Sequence, residues 1–314
     1  MTNLIKKLYR KSWLNYTACF FLMSSISQSY SQENDESAES NHKNLEPLLF
    51  RTETKILHSD LINENFEINI SLPVDYLRSD TTYPVLFCTD ANRNMGMITN
   101  IVNILSFPDN EIPRILVVGI GYSIKGLEDW GAKRNRDFTP TSDIDHDIKW
   151  KERLSVMSGR NDLIVTSGGA LLFLNFIRDE LIPFIESNYR VSSSDRAIMG
   201  YSHGGLFTLY ALFHSSGTFQ RYFAGSPSIW WDNTVIFKDE YEYAATHKDL
   251  PVKLFISVGS LEGKSTLENI SKMAERLRSR NYPGLKLETH IFEDETHPSC
   301  YAGAISRALR VIYK

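Results

Sequence analysis

The stretch Ile198-Met199-Gly200-Tyr201-Ser202-His203-Gly204-Gly205-Leu206 decides the fold, because an apolar run turns through a serine into a second apolar run. G-x-S-x-G at such a junction describes a nucleophile elbow, a strained strand-to-helix turn that exposes the serine Oγ above a sheet. Glycines two residues either side let strand and helix come closer than a Cβ would allow. The motif is short, so its surroundings carry the assignment. Arg196-Ala197-Ile198-Met199 follow a turn-like Ser192-Ser193-Ser194-Asp195 and suit a short strand buried on both faces. Leu206, Leu209, Tyr210 and Phe213 recur at helical spacing, so a helix begins just after Ser202. A helix start offers unpaired N–H groups and the positive end of the dipole, and the His203 amide becomes one oxyanion donor. The plainer alternative is that Ser202 only forms a tight turn.

A serine hydroxyl attacks only when a base takes its proton, and a carboxylate must orient that base. On this type of sheet the chain order is serine, acid, histidine. Five histidines follow Ser202. His203 is adjacent, His214 lies at the far end of the next helix, His247 sits in a polar stretch, and His290 falls inside a strand spanning 285–292. His297 follows that strand in the polar loop Glu293-Asp294-Glu295-Thr296-His297, at the edge where ligand groups of open α/β sheets gather. It is the candidate base. The strand 252–259 lies between elbow and histidine and leads into Ser260-Leu261-Glu262-Gly263, which makes Glu262 the candidate acid and Asp294 its competitor. A second oxyanion donor comes from the loop after the third strand, here Tyr83-Pro84-Val85-Leu86-Phe87-Cys88, so the amide of Ala91 or Asn92 is expected there.

With these groups placed, the chain resembles the putative-esterase branch of the α/β-hydrolase superfamily, which includes enterobactin-type siderophore esterases. The resemblance runs from about residue 53 to the end. It rests on Tyr83-Pro84-Val85-Leu86, Arg136-Asp137-Phe138-Thr139-Pro140-Thr141, Gly200-Tyr201-Ser202-His203-Gly204-Gly205, Ser226-Pro227-Ser228-Ile229-Trp230-Trp231, Gly259-Ser260-Leu261-Glu262 and His297. It implies an α/β-hydrolase fold, a mostly parallel sheet of about eight strands with helices on both faces. It also implies carboxylic ester hydrolysis through a serine acyl-enzyme, with no cofactor and no metal. The family usually carries Asp-Gly after the third strand, whereas Asp90 here precedes Ala91.

Composition fits one large α/β domain: 314 residues, 42% hydrophobic and 12% aromatic. A net charge of −4 argues against a nucleic-acid partner. Lys6, Lys7, Arg10 and Lys11 precede an apolar stretch from Trp13 to Met23 and then several serines, the layout of a secretory signal over 1–31. That stretch is far shorter than the roughly 20 residues of a spanning helix, so export to the periplasm or beyond is expected, with no stable membrane insertion after cleavage. An uncleaved anchor is the alternative. Residues 32–48 form an acidic leader too polar to order itself, and 49–314 form the hydrolase domain. Cys88 and Cys300 are expected to be free thiols.

A long connection at about 122–168 is expected to overhang the elbow and help choose the substrate. Arg136 is its candidate contact for an anionic or oxygen-rich group, or else pairs with Asp137 to hold the loop. Trp230 and Trp231 offer flat faces to an aromatic or sugar ring, core packing being the alternative for at least one. Asp143, Asp145 and Asp147 imitate the start of a calcium loop, but Ile148 and Leu154 stand where glycine and glutamate are needed. The substrate expected is a small-molecule or oligosaccharide ester, and the resemblance implies a trilactone siderophore as one candidate. A feruloyl or acetyl carbohydrate ester, acyl transfer to an alcohol, or a hydrolase-shaped binding protein are the alternatives.

Overall fold

A computed structural model describes residues 51–314. The expected signal over 1–31 and leader over 32–48 lie outside the described residues. Eight strands form one sheet among the described residues: β1 (Thr52–Ser59), β2 (Glu64–Ser71), β3 (Tyr83–Cys88), β4 (Leu116–Tyr122), β5 (Val191–Tyr201), β6 (Arg221–Gly225), β7 (Lys253–Gly259) and β8 (Lys286–Phe292). Their order is β1-β2-β4-β3-β5-β6-β7-β8. β1 and β2 pair antiparallel, β2 pairs antiparallel with β4, and every other neighbour is parallel.

β3 and β4 are apolar along their whole length, and β5 from Ala197 onward, because both faces are covered there. Side chains alternate between two layers. Val85 and Phe87 join the core formed with Phe173, Phe176 and Phe207, whereas Leu86 and Cys88 join the one formed with Met95, Ile98 and Ile305. The second layer comes from α1 (Ala91–Ser106), which buries Ala91, Met95, Ile98, Val102 and Leu105, and from the C-terminal helix described below. That spacing of four and three is one face of a helix. Gly119 in β4 makes the close seat possible, since a Cβ there would lie 2.6 Å from Met95 Sδ and 2.8 Å from Ala91 Cβ. Truncating Ile98 to alanine would cost about 2–5 kcal/mol by transfer and cavity terms.

The segment after β4 departs from the expected long connection. It folds into α2 (Leu127–Asp137) and α3 (Ile144–Ser158), which share a small core of Ala132, Leu154 and Leu163. Asp143 caps α3 by accepting the His146 amide at 2.9 Å, and Asp145 and Asp147 stand in its first turn. The three aspartates are therefore helix-start chemistry, favoured by orphan N–H groups and the dipole. After α4 (Ala170–Phe176), a π-helical turn (Ile177–Leu181) and α5 (Ile182–Asn188), the chain enters β5. That strand starts earlier than expected. Val191 pairs with Tyr83 and Arg196 with Val85, so Ser192 to Asp195 form an excursion inside the ladder instead of a turn before it.

The longer helices after β5 are α6 (His203–His214), α7 (Ile236–Thr246), α8 (Lys264–Ser279) and α9 (Tyr301–Tyr313), with a single turn at Trp231–Thr234 before α7. α9 buries Ala304, Ile305, Ala308, Leu309 and Ile312 under the second layer. Because β3 and β5 to β8 run parallel, their C-terminal ends share one edge. Asp90, Ser202, Ser226, Glu262 and His297 all follow those ends.

Candidate active site

Ser202 stands between β5 and α6 with φ 60° and ψ −121°. A non-glycine residue at positive φ is strained, at a cost of order 1–3 kcal/mol, and persists only where its surroundings fix it. Here its N–H donates to the Gly225 carbonyl at 2.9 Å, and its own carbonyl accepts from Leu206 N at 3.0 Å and Ser228 N at 3.1 Å. A Cβ on Gly200 would overlap the Gly204 carbonyl, which accounts for the glycine at that place. The Ser202 hydroxyl lies 3.5 Å from that of Ser228.

His297 Nδ1 lies 2.6 Å from Glu262 Oε2. The carboxylate is almost fully buried and the imidazole is about half exposed. The other carboxylate oxygen, Oε1, accepts the Gly259 amide at 2.8 Å and the Ser226 hydroxyl at 2.6 Å. Burial pushes the Glu262 pKa up, but hydrogen bonds from His297, Ser226 and Gly259 outweigh it, and the carboxyl is held below its ordinary range. Asp294 takes another position: its amide donates to Ser260 Oγ at 2.9 Å and its backbone adopts φ 58°.

The loop bearing His297 is tied to the elbow. Tyr201, immediately before the serine, donates its phenol to the His297 carbonyl at 2.5 Å, and its ring lies 5.0 Å from the imidazole and 4.0 Å from Tyr301. Cys300 Sγ sits 2.9 Å from the same phenol. Burial raises the pKa of both Tyr201 and Cys300, so both remain protonated donors. Cys88 and Cys300 are free and buried.

Ala91 and Asn92 open α1, so their amides are among the N–H groups that a helix leaves without an internal acceptor. The turn before them is rigid. Asp90, at φ 59°, accepts Trp130 Nε1 at 2.9 Å and the Arg134 guanidinium at 2.9 and 3.1 Å. Burial disfavours the Arg134 charge, yet the Asp90 carboxylate raises its pKa, as befits a buried pair. A Cβ on Gly204 would lie 2.5 Å from Thr89 Oγ1, so this turn touches the start of α6, which His203 opens. The Asn92 side chain clasps the end of β4, donating to the Tyr122 carbonyl at 2.9 Å and accepting its amide at 2.7 Å.

Arg136 is engaged by Asp137 at 2.6 and 3.0 Å and by Glu64 at 2.6 Å. It thus adopts the loop-holding alternative, on a charged cavity of about 330 Å³ that Glu64, Lys133, Arg160 and Asp162 also line. The two tryptophans separate. Trp231 is fully buried, with Nε1 donating to Thr141 Oγ1 at 3.2 Å, whereas Trp230 is 48% exposed. His214 pairs with Asp239, His247 stacks on Tyr243, and His290 meets Phe292 on β8.

Sequence reasoning missed Tyr201, Ser226, Ser228 and Asp90 with its partners Trp130 and Arg134. Ser226 and Ser228 stand inside a quoted motif, but nothing in their types distinguishes a carboxylate donor from a turn residue.

Residues 137–297 match the family model named Putative esterase. The ferri-bacillibactin esterase BesA of Bacillus subtilis (strain 168) is 34% identical over 268 residues, 82% of this chain and 88% of that protein. Among solved structures, the BES protein from Bacillus cereus is 30% identical with a TM-score of 0.71, covering 84% of this chain and 95% of that one. The siderophore hydrolase EstA from Aspergillus nidulans is 25% identical with a TM-score of 0.67, covering 82% and 93%.

Proposed function

This chain belongs to the putative esterase family, and from that premise we propose that it is a serine hydrolase cleaving a carboxylic ester of a siderophore. The observation that carries the reading is the 2.6 Å contact between His297 Nδ1 and Glu262, on a loop that Tyr201 ties to the bend holding Ser202 at positive φ. An ionised Glu262 accepts the Nδ1 proton, which leaves Nε2 free to act as base. Ser202 Oγ attacks the ester carbonyl carbon and passes its proton to Nε2. The amides of His203 and of Ala91 or Asn92 hold the oxyanion, in the place where charge develops. The tetrahedral adduct collapses, the ester C–O bond breaks, and the departing alkoxide takes the proton from His297. Water then repeats the cycle on the acyl-serine, giving its proton to Nε2 and releasing the acid and Ser202.

With Ser202 resting near Ser228, the Ser202–His297 hydrogen bond forms as substrate arrives, as catalytic hydrogen bonds often do. The siderophore assignment is supported by the names of the relatives, an esterase of ferri-bacillibactin and a siderophore hydrolase. We also propose export, on the charged-then-apolar layout of residues 1–31. The test is turnover of a trilactone siderophore, with acetyl and feruloyl sugars in parallel. Ser202→Ala should lower kcat by about 10⁶ and abolish fluorophosphonate labelling. Retention of kcat within tenfold would overturn the mechanism.

A further inference from the structure

The opposite edge of the sheet, where the parallel strands begin, carries a row of cations. Arg221, Lys253 and Lys286 open β6, β7 and β8. They stand in register, Arg221 beside Lys253 and Lys253 beside Lys286. Residues in register share a face of the sheet, and neighbouring strands lie only about 4.8 Å apart, so like charges placed this way repel one another and weaken the ladder.

One member of the row is answered. Arg221 pairs with Asp195 at 3.0 Å and lies 5.1 Å over the Tyr313 ring at the end of α9. The ammonium groups of Lys253 and Lys286 form no ion pair or hydrogen bond among the described residues. Burial, Arg221 and Lys286 all lower the Lys253 pKa, and Asp195 opposes them only in part. Both lysines border a cavity of about 270 Å³, which Lys314, Glu288, Leu287 and Val311 also line. Its single acid is already drawn to Arg307, 3.7 Å away. Three lysines therefore gather here without an anion to match them, in a chain whose net charge is −4.

We propose that Lys253, Lys286 and Lys314 bind a phosphoryl dianion in this cavity, as free phosphate or as a small phosphate monoester. A lysine ammonium is a compact point charge with three rotatable donors, which suits a tetrahedral anion, whereas a planar carboxylate is met better by the arginine fork. A space of 270 Å³ equals roughly nine water volumes, more than phosphate alone fills. Leu287 and Val311 offer an apolar wall to the carbon body of an ester. The bound anion cancels the repulsion along the row, so a sequence that is unfavourable in the empty ladder becomes favourable in the filled one. β7 is seven residues long, roughly 20 Å from this end to the loop bearing Glu262, so the site is separate from the esterase reading and does not depend on it.

The experiment is titration calorimetry on the full chain in chloride buffer of fixed ionic strength, with inorganic phosphate, glycerol 3-phosphate and acetate as probes and thermal unfolding alongside. At least one phosphoryl probe should bind about tenfold or more tightly than acetate. The tighter of the two tells the source: glycerol 3-phosphate a monoester, inorganic phosphate the free ion. Lys253→Gln and Lys286→Gln should each weaken that binding about tenfold, the loss of one charge-assisted hydrogen bond, whereas Lys286→Arg should keep most of it. Without phosphate the glutamine variants should unfold no lower than wild type, since each removes a repulsion; with phosphate the wild type should gain the most in Tm. No binding of either phosphoryl probe, acetate bound as tightly, undiminished affinity in both glutamine variants, or an equal Tm gain in all the proteins would overturn the site.

Discussion

Replacing Glu262 by glutamine should be more damaging than its near-isosteric shape suggests, and the hydrogen bonds say why. Oε1 receives two donors, the Gly259 amide at 2.8 Å and the Ser226 hydroxyl at 2.6 Å. The Gly259 N–H can only donate, so the glutamine carbonyl must occupy that position. The side-chain NH₂ is then forced to the Oε2 position, 2.6 Å from His297 Nδ1. An N–H facing Nδ1 requires Nδ1 to be the acceptor and moves the ring proton to Nε2. An imidazole protonated on Nε2 cannot take the Ser202 proton. The wrong tautomer in a triad of this kind lowers kcat by about 10⁴, equivalent to roughly 5.5 kcal/mol of barrier. The buried contacts survive, so folding should change little. The assay is single-turnover acylation by a fluorogenic ester, with thermal unfolding alongside and Asp294→Asn as the control. Acylation within tenfold of wild type in Glu262→Gln, with loss in Asp294→Asn, would refute the tautomer argument and the choice of acid together.

Three further outcomes follow from the same contacts. Asp90→Asn removes the charge that compensates a buried Arg134, which should lower stability by about 3–5 kcal/mol in chemical denaturation and slow turnover by loosening the start of α1; an unchanged denaturation midpoint would contradict it. Tyr201→Phe deletes the phenol that holds the His297 carbonyl, and should reduce kcat about tenfold with KM nearly unchanged, at the upper end of one charge-free hydrogen bond; a change confined to KM would count against that clasp. Glu262 has a folded pKa below its unfolded value of 4.5, so its stabilising contribution is complete above that pH and is lost as the pH falls through the folded value. Acid titration of stability should therefore be shallower in Glu262→Gln than in wild type over that window.

What was legible in the sequence was what rests on periodicity and backbone sterics. The elbow showed itself because a strained serine between strand and helix needs glycine at 200 and 204, and the strands before the candidate acid and base showed as an apolar run, β7, and a mixed one, β8, each ending in a polar loop. The helix α2 did not show, because it is held by charge pairing more than by an apolar stripe: Lys133 and Arg136 on Glu64, Arg134 on Asp90, and Arg160 on Glu128 and Asp129. A run of arginines and aspartates has the same composition whether it reaches for a ligand or for its own neighbours, which is why Arg136 stayed open between two roles. The tie of Tyr201 to His297 spans |i−j| of 96, a separation that no local pattern reveals.

The dihedral angles at residue 202 also have a bearing on how such a chain can decay. Glycine adopts φ 60° without steric penalty, so Ser202→Gly, which would remove the proposed nucleophile, would also relieve of order 1–3 kcal/mol of local tension. On the proposed mechanism, silence is the thermodynamically downhill direction at this bend, and only the demand for that reaction would keep an alcohol there.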